Sequence, residues 1–354
     1  MKSTFLQLFL YLLLALTSYL ANAQSTPAEF AEMSLQELFE LNIDSKQEEN
    51  SSPPKWTLSY QYKYAEFDGY LNDDSSLSFD EVLWSGSSEL RTDKNFPIVP
   101  TVIKQQAHLF SLGYQYSDII SFHVALPVIK QATDHISSVP NYDEFLLETS
   151  GFGDTVLSVN YKFVNEDEHK WWFGLGVSFP TGSIDEVGDT PREPGDQQLP
   201  YTMQLGSGTV DLPIEFNYQH LGNHDFSLRL SAMLRTGSND RNYRLGNNYR
   251  ISGKYQLVLS NVVYFFVGSE FQYSSRIQGR DDTLLVDAPI PYPAGITNAA
   301  FYGGRKVSLK SGLSWRLDEK FKLNIELSKP VYQHLNGPQP KEVWRSSVQI
   351  SRVF

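Results

Sequence analysis

The sequence predicts an all-β chain: an antiparallel transmembrane β-barrel of about 12 strands, preceded by a signal peptide and a short, partly helical N-terminal segment. Three observations carry this. The chain opens on a leader, it alternates apolar and polar residues with a period of two from Trp56 onward, and its connections alternate long with short.

Residues 1–23 hold Lys2, an apolar run from Phe5 to Leu20, and then Ala21-Asn22-Ala23. A charged start, an apolar middle and a small-x-small end describe a secretory signal cut before Gln24. Segment 24–55 follows and is acidic. Ser34 and Glu37 fit a capping box, and Leu35, Leu38, Phe39 and Leu41 share a helical face. The run from Lys46 to Pro54 is a polar, Pro-ended linker. This segment is expected to plug a basic lumen from below, to dock a periplasmic partner through residues 25–55, or to act as a disordered tether. The barrel is assigned to 56–354.

Composition narrows the class. The 354 residues carry a formal charge of −12, which argues against nucleic acid as a partner. Cysteine is absent, so disulfide scaffolds and thiolate metal sites are excluded. No stretch after the leader approaches the ~20 apolar residues of a membrane helix.

Trp56, Leu58, Tyr60, Tyr62 and Tyr64 alternate with Thr57, Ser59, Gln61 and Lys63. A strand sends successive side chains to opposite faces, so one face is apolar and the other wet. Segments of this kind are expected at 56–67, 102–116, 119–130, 152–164, 171–180, 209–219, 224–236, 249–259, 262–273, 304–317, 320–331 and 342–354. The facing of 102–116 and 262–273 is ambiguous. Long polar loops are expected at 68–101, 131–151, 181–208, 237–248, 274–303 and 332–341, with short turns between them. Long external loops alternating with short periplasmic turns are the signature of an outer-membrane barrel; a soluble sandwich has no reason to keep that rhythm. Aromatics fall near both ends of the strands, as two interfacial belts require. The final strand ends in Phe354 and resembles the C-terminal signal by which such barrels are recognised for assembly, with Arg352 departing from the usual pattern.

Three stretches resemble a known family: Ser150-Gly151-Phe152-Gly153-Asp154, Val177-Ser178-Phe179-Pro180-Thr181-Gly182-Ser183, and Leu205-Gly206-Ser207-Gly208-Thr209-Val210-Asp211. Together they are similar to the outer-membrane barrels of the phenol-degradation (meta-pathway) transporter-like type. The likeness covers roughly 145–220. It implies a 12-strand-type barrel passing small, often aromatic, molecules, and it brings no catalytic residues.

Turning the apolar faces to lipid points the polar ones into a lumen. The expected pore-lining residues are Lys63, His123, Lys162, Asp211, Glu215, Arg229, Arg235 and Arg250, followed by Lys254, Lys306, Lys310, Arg316, Lys322, Glu326 and Arg345, with Asp154 and Glu270 also facing inward. Basic residues outnumber acidic ones, so the lumen favours anions unless its charges pair and fill it. Ser121 and His123 share a strand face and could activate a nucleophile, but no third group is evident, and both point away from lipid. Acidic pairs such as Asp281-Asp282 lack EF-hand spacing. No catalytic residue, cofactor or metal site is expected.

The expectation is a channel in the outer membrane of a Gram-negative bacterium for passive movement of small solutes, anionic or aromatic ones among them. The solute is admitted through a lumen narrowed by the loops at 68–101 and 274–303. The alternatives are a non-conducting structural or assembly barrel recruiting a periplasmic partner, and an outer-membrane lipid hydrolase. The expected partners are outer-membrane lipid and lipopolysaccharide, the barrel-assembly machinery and the small-molecule solute.

Overall fold

A computed structural model describes residues 56–354 apart from 87, 167 and 223. The signal peptide and the acidic segment 24–55 lie outside the described residues. Seventeen strand elements follow in chain order: β1 (Trp56–Asp73), β2 (Ser75–Leu77), β3 (Ile98–Gln115), β4 (Ile120–Ser137), β5 (Glu144–Phe152), β6 (Thr155–Asn165), β7 (His169–Phe179), β8 (Val187–Asp189) and β9 (Asp196–Gln198). Then come β10 (Asp211–His220), β11 (Asp225–Arg235), β12 (Tyr243–Arg244), β13 (Asn248–Val258), β14 (Val263–Ser274), β15 (Gln278–Gly279), β16 (Gly304–Arg316) and β17 (Phe321–Val353).

Eleven of these form the wall, in the order β17-β16-β14-β13-β11-β10-β7-β6-β4-β3-β1, and β17 pairs with β1 to close it. Two more strands, β2 and β5, join its rim. Every pairing is antiparallel, yet an odd number of straight strands cannot close a ring that way. The last element resolves the parity. It pairs with β16 through Lys322–Leu335 and with β1 through Leu335–Val353, antiparallel to both, so it doubles back near Gly337. The Val353 N–H donates to Lys320 O at 3.0 Å, which joins the two halves at their periplasmic end. Eleven elements therefore make twelve passes. The loop expected at 332–341 is instead a tight hairpin within β17.

Two other boundaries move for one physical reason. β1 runs on to Asp73, and β4 and β5 extend the hairpin over most of 131–151, leaving only 138–143 as its tip. Above the bilayer a strand keeps its ladder without needing an apolar face, so alternation fades while pairing continues. β5 and β6 both pair with β4, over Val128–Ile136 and Ile120–Ala125, and so form one strand interrupted at Gly153-Asp154.

Outward-facing Leu58, Phe110, Phe122, Leu157, Phe173, Leu230, Leu313 and Ile350 are all exposed. A continuous apolar band of this kind is untenable in water and is what lipid covers. Rings gather at its two edges. Trp171 lies 4.3 Å from Tyr218 at the short-turn end, and Tyr64 lies 5.0 Å from Trp344 at the other. The guanidinium of Arg352 sits over Phe321 and Phe354, at 4.9 and 4.6 Å, so the residue that departs from the terminal signal is held between aromatic faces.

The two ambiguous strands are now faced. In β3, Ile103, Ala107 and Leu109 point inward and are buried, while Phe110 and Leu112 face out. In β14, Phe266 points inward and Val267 outward. Apolar side chains on both faces erased the alternation.

Leu313→Arg is expected to destabilise the barrel by about 2–4 kcal/mol through a charge placed in hydrocarbon. Urea titration of folding into liposomes reads this, and Leu313→Ala should cost clearly less.

Candidate functional site

All fifteen residues expected to line a lumen have described positions, and the register turns them to the inner face. One wall carries an ion-pair ladder. Lys310 contacts Glu270 at 2.7 Å and Glu326 at 3.5 Å; Arg345 lies 3.7 Å from Glu270 and 3.1 Å from Glu342; and Lys306 closes on Glu342. Buried charges are costly unless paired, and this ladder pairs three carboxylates with three cations. On the neighbouring wall, Arg229 meets Glu215 at 3.4 Å, and higher up Arg235 and Asp211 are bonded at 2.7 Å with both side chains fully buried. Glu342 is the residue that sequence reasoning missed. It stands at the start of a segment assigned to the last strand, and only the folding back of β17, which sets it beside Gln333, the cross-strand partner of Lys306, reveals its ion-pair partner.

Toward the periplasmic end the lumen holds a cavity of about 110 Å³. Its lining has five cationic side chains (Arg229, Arg250, Lys254, Lys310 and Lys322) and two carboxylates (Glu270 and Glu326), an excess of positive charge. Trp172 and Phe266 line it too, and Lys254 Nζ lies 4.4 Å from the centre of the Phe266 ring. Arg316 reaches Tyr264 Oη at 3.2 Å just below, and Lys162 faces inward as the cross-strand partner of buried Trp172. Lys63 is buried at mid-wall opposite Ala107.

The opposite wall sets apolar patches among its polar residues, which the expected polar lumen did not include. Ala65, Phe67, Ile103 and Ala107 pack together, Leu109 packs on Ala125 and Val156, and Ile129 packs on Leu205. Leu205 comes from the loop between β7 and β10, which bends into the external mouth. Met203 sits nearer the mouth than Leu205, and its Sδ accepts from Gln131 at 2.9 Å and Thr133 at 3.2 Å.

The glycine-rich motifs meet at the root of this inserted loop. The Asp154 carboxylate accepts from the Gly182 N–H at 2.9 Å, the Ser207 N–H at 2.8 Å and the Ser207 hydroxyl at 2.6 Å. A Cβ on Gly206 would sit 2.3 Å from the Gly182 carbonyl oxygen, so the two backbones touch where only glycine fits. Gly208 has φ +68°, a second reason for glycine there.

Above this node the loops share a core of their own. Tyr201, Tyr243, Leu245, Ile277, Leu284, Ala299 and Tyr302 form one buried cluster drawn from three loops. The loop between β1 and β3 joins through Phe96, which packs edge-on against Phe301 at 6.0 Å, and through the Ile98 N–H, which donates to Pro293 O. Burial pushes the Tyr201 hydroxyl up to about 12 and that of Tyr302 well above its ordinary value. Raised phenol pKa values stabilise this cap fully below pH 10, and the contribution is lost as pH rises from there toward about 12. Narrowing was expected from 68–101 and 274–303; the loop at 181–208 contributes the deepest insertion.

Ser121 Oγ and His123 Nε2 are hydrogen-bonded at 3.0 Å and buried on the inner face, with the imidazole against Gly113. The pair exists, but it faces the lumen rather than the lipid a hydrolase would attack.

No family model and no curated protein matches the chain. Among solved structures it is similar to the COG4313 outer membrane channel from Pseudomonas putida F1, with 15% identity and a TM-score of 0.54 over 88% of this chain and 100% of that one. Looser likenesses, which add nothing to the fold assignment, are the KdgM porin (8% identity, TM-score 0.39, 84% of this chain and 99% of that one) and the TodX deltaS2S3 mutant monoaromatic hydrocarbon channel (10%, 0.44, 93% of each). The chain has the closed antiparallel fold of an outer-membrane β-barrel. In barrels of that kind the short turns face the periplasm, which puts the capped end of this one outward.

Gly206→Ala is expected to detach the inserted loop while leaving the wall intact. Limited proteolysis from the outside should then cut within 181–208 many times faster, with the heat-dependent gel shift of the folded barrel unchanged.

Proposed function

We propose that the barrel is a passive channel for small amphiphilic anions, aromatic carboxylates and phenolates being the best fit. The observation that supports this reading is the composition of the lumen. Five cations against two carboxylates share one cavity with Trp172 and Phe266, and apolar patches lie on the path from the outside. A cationic, low-dielectric constriction concentrates anions, and ring faces bind aromatic solutes by stacking. The likeness of the glycine motifs to the phenol-degradation transporter-like barrels points the same way.

The mechanism is diffusion in two stages. A solute passes the cap along the apolar patches of the inner wall, where only weak contacts form and dissociation stays fast. It then meets the cationic lining that includes Arg250, Lys254 and Lys322, whose field attracts the acid group. Binding weak enough to release is what a conducting path requires.

The second reading, a filled and non-conducting barrel, is favoured by the small cavity and the dense ladder. Planar-bilayer recording separates the two. The channel reading expects a reversal potential showing preference for chloride and benzoate over potassium, and Arg250→Gln with Lys254→Gln should lower that preference about threefold or more, since each charge contributes on the order of a kcal/mol in such a site. A barrel that passes no current and no benzoate would overturn it. Ser121→Ala is expected to leave both permeation and lipid turnover unchanged.

A further inference from the structure

We propose that Glu168, His169 and His220 form a binding site for a divalent transition-metal ion of the Zn²⁺ or Cu²⁺ class on the outer surface of the periplasmic rim. The site is separate from the lumen and independent of what the channel carries.

The register builds it. His169 opens β7, His220 ends β10, and the two are cross-strand partners. Directly opposed residues on one face of an antiparallel pair bring their side chains together, and here the rings lie 5.0 Å apart with their planes inclined by 28°. Glu168 precedes His169 in the turn. One ligand atom from each of the three residues falls within 4.8 Å of the others. The cluster lies just below the Trp171–Tyr218 ring pair, at the level where the membrane gives way to the periplasm.

Neighbouring hydrogen bonds orient both rings. His220 Nδ1 lies 3.0 Å from the Glu168 backbone carbonyl, which can only accept, so Nδ1 carries the proton and Nε2 offers its lone pair. The same carbonyl accepts from the Leu221 N–H at 2.9 Å, fixing the two turns to one another. His169 Nδ1 is bonded to Tyr218 Oη at 3.0 Å, which orients the second ring. Metal-binding histidines characteristically spend their other nitrogen in this way.

Two imidazoles and one carboxylate suit Zn²⁺, Cu²⁺ or Ni²⁺, whereas Ca²⁺ and Mg²⁺ ask for oxygen ligands throughout. Three protein ligands leave a position for water or a lipid phosphate oxygen. Both rings are half-buried and Glu168 is exposed, so the carboxylate can rotate onto an ion held by the histidines. A bound ion would cross-link two adjacent periplasmic turns and stabilise the folded barrel by mass action.

The test uses the tag-free, metal-stripped full barrel in detergent, with Zn²⁺ titrated calorimetrically and Cu²⁺ as a spectroscopic probe. One Zn²⁺ per chain is expected, with two-nitrogen coupling in the Cu²⁺ spectrum. His169→Ala and His220→Ala should each weaken Zn²⁺ binding by at least the ~10–100-fold typical of damage to such sites, and Glu168→Gln should weaken it less. The heat-dependent gel shift verifies folding, and His224→Asn, which alters a histidine outside the cluster, should bind as the parent does. Absence of stoichiometric Zn²⁺ binding by the parent would overturn the site, as would unchanged affinity in the folded double variant His169→Ala/His220→Ala.

Discussion

In hydrocarbon an unpaired backbone N–H or C=O costs several kcal/mol, and the wall of this protein is organised so that each strand spends those groups on its neighbours. Closure is the step on which this depends. Thr57 through Glu66 pair in unbroken register with Val353 through Trp344, so the first and last strands have no free edge along the membrane. The doubling back of β17 at Gly337 makes the number of passes even and the closing pair antiparallel. Once the ladder is closed, the outer face has only to be apolar, and the inner face is free to carry almost any chemistry.

That freedom explains the contents of the lumen. Charges inside a narrow cylinder are poorly solvated, so most of them are held in pairs: Asp211 with Arg235, Glu215 with Arg229, and the ladder from Glu326 to Lys306. The same constraint lets the inner wall at Leu109, Ala125 and Val156 be apolar, since no requirement for water contact applies there. Closing the external mouth takes a further device, because loops have no ladder of their own. It is met by a small hydrophobic core around Tyr201 and Tyr302 and by the Asp154 carboxylate, which replaces the missing ladder where β5 gives way to β6.

Much of this was legible in the sequence, and the limits have physical causes. Strands such as Asp211–His220 and Asp225–Arg235 lie within two residues of their expected ends, because lipid on one face and a polar lumen on the other enforce a clean period of two. The inward direction of Arg229, Lys254 and Lys310 follows from the same alternation. Apolar residues facing inward, such as Leu109 and Phe266, could not be told from lipid-facing ones, since hydropathy carries no sign for inside and outside. Strand extension beyond the bilayer was hidden for the complementary reason that neither face is apolar there. Contacts between distant strands are set by register, so the Glu342–Lys306 pair and the approach of Gly206 to Gly182 were unreadable, even though the glycine motifs themselves stood out.

The central claim is that lipid and lumen take alternate side chains of a closed wall. The natural chain has no cysteine, so single cysteines can be placed one at a time along 304–316 and 322–331 without background. Nitroxide labels at these sites in liposomes should alternate residue by residue, odd positions more accessible to membrane-dissolved oxygen and even positions less so. A uniform profile, or one in which both faces report bulk water, would contradict the account.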